Sequence, residues 1–152
     1  MKKAFIVFSV ILAATSCIRV NQNPVPDVNI EAQATTDGIF IHVKQGADHA
    51  HDVLMALGMA NKFAGDYDLL MYFDIDGIEM VKDGAPNLKM EPFGSSDELF
   101  KQLVDKGITI FACPSCMKVA GVSPSELRSG VTVADKDMFF DFTDGRILSI
   151  DY

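Results

Sequence analysis

The sequence predicts a single three-layer α/β domain built on a mostly parallel sheet. Three observations lead there. Near-continuous apolar runs of strand length recur at 39–43, 69–73 and 108–112, the kind of segment that is covered on both faces in a parallel sheet. Stretches of helical period stand between them, and strands alternating with helices without an internal repeat belong to that class. The chain has 152 residues, 49% of them hydrophobic. That is enough for one domain to bury roughly 70% of its unfolded surface.

Ile39, Phe40, Ile41, His42 and Val43 form a β-branched and aromatic run followed by polar Lys44 and Gln45, which predicts the first strand. A helix over 48–63 follows, because Val53, Leu54, Leu57, Ala60 and Phe63 recur at helical spacing. Residues 69–73 give a second buried strand, after which Asp74, Ile75, Asp76 and Gly77 turn the chain. Residues 78–81 read as a short strand or one helical turn, and 82–93, with its glycine and proline breaks, reads as loop. Ser95 and Glu98 then have capping-box spacing, Leu99, Phe100, Leu103 and Val104 form an apolar face, and Gly107 stands where a C-cap glycine belongs. A third strand over 108–112 runs directly into Cys113, and a helix starts at Pro114, whose fixed φ suits the first helical position. Ser123 to Glu126 mark another helix start, Val131 to Val133 a short segment, Thr143 to Gly145 a turn, and 147–151 a last strand.

The amino terminus reads differently. Lys2 and Lys3, an apolar run over 4–14 and the small residues before Cys17 make 1–17 a signal peptide. The run is about half the length of a membrane-spanning helix. Ala14, Thr15, Ser16 and Cys17 resemble a bacterial lipobox, with alanine where leucine is usual, so Cys17 is expected to be the lipidated first residue of an exported, membrane-anchored protein facing the periplasm or the cell surface. Ordinary signal-peptidase cleavage nearby is the alternative. Residues 18–36 carry Asn, Gln and Pro without apolar period and read as a tether, leaving 37–152 as the folded domain.

Lys and Arg number 13 against 21 Asp and Glu, a formal charge of −8. Removal of 1–17 takes away Lys2 and Lys3 and no acid, leaving 11 − 21 = −10. An acidic domain lacks the basic footprint that phosphate contacts require, which excludes nucleic acid as the natural partner.

The chemistry therefore rests on the cysteines. With Cys113 at the N-cap and Pro114 as the first helical residue, the cap side chain faces the free amides of Ser115 and Cys116, and the helix dipole adds to them. A thiolate, the nucleophilic form, is favoured there. Cys116 lies one turn on and on the same face, close enough to form a disulfide or resolve an adduct on Cys113. A metal is not expected, because structural zinc takes four ligands and no second Cys pair or paired His motif follows. Thiol-disulfide exchange suits a Cys-Pro-x-Cys at a strand-to-helix junction, and an inert pair is the remaining reading.

The segment 107–117, with Gly121, Val122, Glu126, Leu127, Gly130 and Val131 after it, resembles the DsrE/DsrF-like family of sulfur-relay proteins. The likeness extends loosely from the strand at Ile39 to the last strand. It implies a compact flavodoxin- or Rossmann-like α/β fold, homo-oligomers that are often trimers or hexamers, and sulfur transfer through a persulfide on the cysteine matching Cys113. Cys116 and the export signal depart from the cytoplasmic sulfur-relay members, and neither the sulfur donor nor the acceptor is legible. No cofactor is called for.

Other polar residues give weaker signals. His49 and His51 lie about 200° apart on a helix, so both reach the sheet edge of Cys113 only if the helix starts after them. His42 alternates within a strand and reads as a core or interface histidine. Asp74, Asp76 and Gly77 lack the ligand order of a calcium loop and read as turn residues. Lys118 reads as a solvated helix surface, and Met55, Met59 and Met71 as core filler.

Overall fold

The computed structural model describes residues 35–152; the expected signal peptide with Cys17, and the expected tether up to residue 34, lie outside the described residues. The chain runs β1 (Gly38–Val43), α1 (Ala50–Phe63), β2 (Asp68–Phe73), a small hairpin of β3 (Lys89–Met90) and β4 (Gly94–Ser95), α2 (Ser96–Asp105), β5 (Thr109–Ala112), α3 (Pro114–Ala120), β6 (Val131–Val133) and β7 (Ile147–Asp151). Short 3-10 turns stand at Ala47–His49, Ile75–Val81, Pro124–Glu126 and Lys136–Phe139. Among the described residues no helix is long and apolar enough to cross a membrane.

Five strands form one sheet in the order β6-β5-β2-β1-β7, and every pairing in it is parallel. The α/β class and the parallel sheet expected from the apolar runs are thus present. Alternation sorts the two faces. Ile39, Ile41 and Val43 of β1, Leu69, Met71 and Phe73 of β2 and Ile110 of β5 share one buried cluster with Val53, Leu57 and Ala60 of α1 and Phe100 and Leu103 of α2. Burial of each large side chain contributes roughly 1.5–3 kcal/mol. Met71 is fully buried, as a filler should be, whereas Met55 and Met59 are only half-buried.

The third layer is thinner than the first. Crossovers from β1 to β2 to β5 to β6 all step the same way across the sheet, while the return from β6 to β7 steps back past β1. A right-handed return must then run over the other face. Its 3-10 turn seats Phe139 there, 6.1 Å from the ring of Phe40, 5.0 Å edge-on to Tyr72 and 6.1 Å from Phe111.

Local chemistry sets the element ends. Ser95 caps α2 by accepting the Glu98 N–H at 3.3 Å. Gly107 closes α2 at φ 72°, with its N–H on the Val104 carbonyl at 2.9 Å and that of Ile108 on Leu103 at 3.0 Å, a Schellman arrangement. Two expectations need correction, and one open alternative is decided. Helix α1 begins at Ala50, because 47–49 form a tighter 3-10 turn. Residues 75–81 are one continuous 3-10 turn, so the segment over 78–81 is helical and no strand. The expected loop over 82–93 contains β3, paired antiparallel with β4.

The turn after β2 is fastened at Gly77, whose N–H lies 3.0 Å from the Lys44 carbonyl and 2.8 Å from that of Asp74. A Cβ there would run into the Val43 carbonyl oxygen. Gly77→Ala should destabilise the domain by about 1–3 kcal/mol, the usual range for overpacking. Urea denaturation followed by circular dichroism checks this; an unchanged midpoint would refute it.

Candidate functional site

The parallel registers align Val43, Phe73 and Ala112, so β1, β2 and β5 end level with one another. The segments that leave these strands meet at one edge of the sheet. In open α/β sheets this carboxyl edge is where ligands bind.

Cys113 extends the ladder by one residue, donating its N–H to the Phe73 carbonyl at 2.9 Å. It is still extended at φ −65° and ψ 118°, and it is the N-cap of α3 with Pro114 as the first helical residue. Its sulfur accepts the N–H of Cys116 at 3.3 Å. Gly121, at φ 68°, ends the helix one residue past Ala120. The placement read from Cys113, Pro114 and Cys116 is therefore the placement observed. Both cysteines are free thiols, with Cys113 buried at 8% exposure and Cys116 half-buried.

The two sulfurs are unequal. Burial alone would push the Cys113 thiol up, but the thiol of Cys116, the hydroxyl of Tyr72 and the amides of Cys116 and Ser115 donate to its sulfur and together hold it below the ordinary cysteine range. Hydrogen bonds to a charged acceptor stabilise by about 1.5–3 kcal/mol each, so several outweigh a partial burial. Cys116 is pushed up, first by burial and then by its bond to Cys113, against a weaker opposing contact from the Ile75 N–H. Cys113 is thus the more acidic thiol of the pair and Cys116 the less acidic.

Sequence reasoning missed Tyr72 and undervalued His42 and Asp74. His42 pairs in register with Tyr72 on one side and Asp151 on the other. Its Nδ1 lies 2.8 Å from Asp151 Oδ1. Its Nε2 lies 2.9 Å from Asp74 Oδ2, yet the contact is bent too far for a hydrogen bond, and Nε2 and Asp74 Oδ1 stay buried without a hydrogen-bond partner. Asp74 opens the 75–81 turn through its backbone carbonyl, as a turn residue should, while its side chain makes no cap bond and faces His42. The one sequence signal for Tyr72 is a phenol on a buried strand, since a buried hydroxyl requires a partner.

The two remaining histidines are separated, because α1 starts between them. His49 is its N-cap and lines a polar hollow of about 370 Å³ with Asp48, Asp76, Glu79 and Lys82. His51 packs its ring on Phe93 at 5.5 Å. Beside Cys116 an apolar groove of about 410 Å³ is lined by Ile75, Val119 and Ala120. Ile75 stands at φ 48°, a left-handed conformation costly for a β-branched residue. Among the described residues no group of three His, Cys, Asp or Glu side chains is placed to hold a metal ion. Lys118 is exposed, as a solvated surface residue should be.

Iodoacetamide labelling read by peptide mass spectrometry should modify Cys113 with a pH profile below that of a free thiol and Cys116 with one above it. Cys113→Ala should move the Cys116 profile to lower pH, since one of the influences raising it is gone. Identical profiles for both cysteines would contradict the assignment.

Solved structures share this architecture. The ychN protein of E. coli aligns with a TM-score of 0.60 at 15% identity, covering 76% of this chain and 100% of its own. A protein of unknown function from Methanobacterium thermoautotrophicum aligns with a TM-score of 0.55 at 12% identity, covering 76% of this chain and 99% of its own. At such identities the likeness is one of fold. No curated protein matches the sequence. The DsrE/DsrF-like family model matches residues 37–144, from just before β1 to just before β7, and the chain belongs to that family.

Proposed function

We propose that the chain carries sulfane sulfur as a persulfide on Cys113, with Cys116 as resolving thiol. The association of the DsrE/DsrF-like family with sulfur relay supports the reaction class. The observation that carries the reading is the difference between the two sulfurs: Cys113 at the N-cap of α3, its sulfur accepting the Cys116 N–H and its thiol held below the ordinary range, and a second thiol one helical turn away that is pushed up.

Uptake needs one displacement. The Cys113 thiolate attacks the outer sulfur of a donor persulfide R–S–SH, the donor S–S bond breaks, Cys113–S–SH forms, and R–S⁻ leaves. Transfer to an acceptor thiolate repeats the step in reverse. The sulfane sulfur keeps its oxidation state in both. Resolution is different: the Cys116 thiolate attacks the inner sulfur of Cys113–S–SH, hydrosulfide leaves, and a Cys113–Cys116 disulfide remains, so two thiols are oxidised by two electrons and the sulfane sulfur is reduced to sulfide. Because Cys116 is held in the thiol form, resolution is slow and the persulfide survives to meet an acceptor. Thiol-disulfide exchange without sulfur uptake is the second reading, favoured by the proximity of the two free sulfurs.

Anchoring of the domain by a lipid on Cys17 and assembly into trimers or hexamers belong to the same proposal. Tethering restricts the domain to donors and acceptors at a membrane surface.

Mass spectrometry after incubation with polysulfide should show a gain of one sulfur that is lost in Cys113→Ser and kept in Cys116→Ser. Absence of any adduct at Cys113, with a measurable dithiol-disulfide potential, would replace sulfur carriage by redox exchange. Cys17→Ala should release the full chain from membranes to the soluble fraction; retention would remove the lipid anchor from the proposal.

A further inference from the structure

The two cysteines open to different surroundings. Cys113 is 8% exposed, whereas Cys116 is half-buried and forms part of the wall of the apolar groove. Ser115, Val119 and Ala120 of α3 and Ile75 and Asp76 of the turn after β2 complete that wall, and Cys113 is not part of it. Val119 is 92% exposed and Ile75 57% exposed, and neither belongs to the core cluster. Ile75 is held there at φ 48°, and outliers of this kind gather where a ligand is gripped. The groove, about 410 Å³, has the size of a small-molecule site.

Charge narrows what the groove accepts. Among the described residues no lysine or arginine lines it, and Asp76 is its one carboxylate. Through Ile75, Asp76 and Ala120 it continues into the polar hollow, where Asp48 and Glu79 add carboxylates against a single lysine, Lys82. Glu79 is fastened there by accepting the Ala47 N–H at 3.1 Å. Lys118, two residues past Cys116, is turned about 200° round α3 and offers no compensation. An anionic molecule therefore meets repulsion along the whole cleft, while an uncharged apolar chain meets Val119, Ile75 and Ala120.

We propose that this groove is the entry site of a small organic thiol R–SH with an apolar, uncharged chain, which opens the Cys113–Cys116 disulfide by attack on Cys116. The thiolate R–S⁻ attacks the Cys116 sulfur, the S–S bond breaks, R–S–S–Cys116 forms, and Cys113 leaves as a thiolate. The Cys116 N–H, 3.3 Å from the Cys113 sulfur, is in place to receive that charge. A second R–S⁻ attacks the R sulfur of the mixed disulfide, R–S–S–R leaves, and Cys116 is free again. The protein disulfide gains two electrons and two thiols of R–SH lose them. Exchange proceeds at the sulfur that is accessible, and the groove makes that sulfur Cys116. The inference rests on the proposed pair forming a disulfide, which sulfur carriage with resolution and redox exchange both require, and not on the load being sulfane sulfur.

The test uses the full chain with the pair oxidised by diamide. Opening by propanethiol and by mercaptoethanesulfonate is compared at equal thiolate concentration, with the same chain unfolded in urea as reference. The ratio of the two rates should exceed the reference severalfold in the folded chain. Acid quenching and fragment mass spectrometry should find the first adduct on Cys116. Lengthening the alkyl chain should raise the rate by up to about fourfold for each CH₂ buried. Val119→Asp, at an exposed position, should bring the ratio down towards the reference, and Asp76→Asn should speed the sulfonate alone. A first adduct on Cys113, a ratio equal to the reference, or no effect of Val119→Asp overturns the proposal. If the oxidised pair does not accumulate, reduced Cys113→Ser is treated with propyl and sulfonatoethyl methanethiosulfonates, which transfer R–S to a thiolate and release methanesulfinate. Cys116 should then show the same preference, and its absence has the same meaning. No sulfane sulfur enters either experiment, so failure here leaves the polysulfide result standing, and the converse holds.

Discussion

The hydrogen bond from the Cys113 N–H to the Phe73 carbonyl, 2.9 Å long, is the contact on which the site depends. It carries the β2–β5 ladder one residue beyond Ala112, so Cys113 is still held as part of the sheet when the chain turns into α3. One residue less of pairing would leave the cysteine in a free loop. One residue more would turn its side chain to the opposite face, because strand side chains alternate. The same level ending brings Asp74 and Lys44 to that edge, and through them Asp151 and His42. The sheet is thus the jig, and its core of Ile41, Val43, Met71 and Phe73 under α1 and α2 makes the jig rigid.

Rigidity matters because dipoles, not a counter-ion, lower the Cys113 thiol. The donors that lower Cys113 are a hydroxyl, a thiol and two amides, all neutral. A counter-ion attracts over a Debye length and tolerates misplacement of an ångström; a donated hydrogen bond weakens steeply once its angle is lost. A site of this kind therefore works only where backbone and ring positions are fixed in advance. Phe139 gains meaning from this. It is a lone aromatic on a short 3-10 turn, yet it presses on Tyr72, Phe40 and Phe111 together and covers that face of the sheet.

What the sequence revealed and what it hid divide along contact range. The cap of α2 by Ser95, its end at Gly107 and the N-cap role of Cys113 ahead of Pro114 are set by residues within four positions, and their residue types announce them. The βα rhythm is likewise written in local periodicity. His42, Tyr72, Asp74 and Asp151 carry no such mark. Each is an ordinary residue for a strand or a turn, and their meeting is produced by the parallel registers of β1 with β2 and β7. Asp74 is both things at once, since aspartate before a glycine two or three residues on is common turn chemistry and its carbonyl accepts the Gly77 N–H, while its carboxyl meets His42 only through the fold. The nature of the third layer is equally hidden, because it depends on which way the last crossover steps.

Ile75 shows where the fold accepts a local cost. An isoleucine at φ 48° sits in a region that β-branched residues avoid, at a penalty of about 1–3 kcal/mol. Glycine would remove the strain. It would also remove an apolar side chain that stands 57% exposed on the groove beside Cys116, and free the backbone whose N–H is aimed at that sulfur. The turn is pinned on either side, by Asp74 N–H on the Val43 carbonyl at 3.2 Å and by the two bonds of Gly77. Pinned ends with a strained residue between them give the N–H one direction. The amide opposes the rise in Cys116 without overcoming it, so the second sulfur remains a thiol that is close to, and out of balance with, the first. That imbalance, rather than the mere presence of two cysteines, is what distinguishes the two sulfurs chemically.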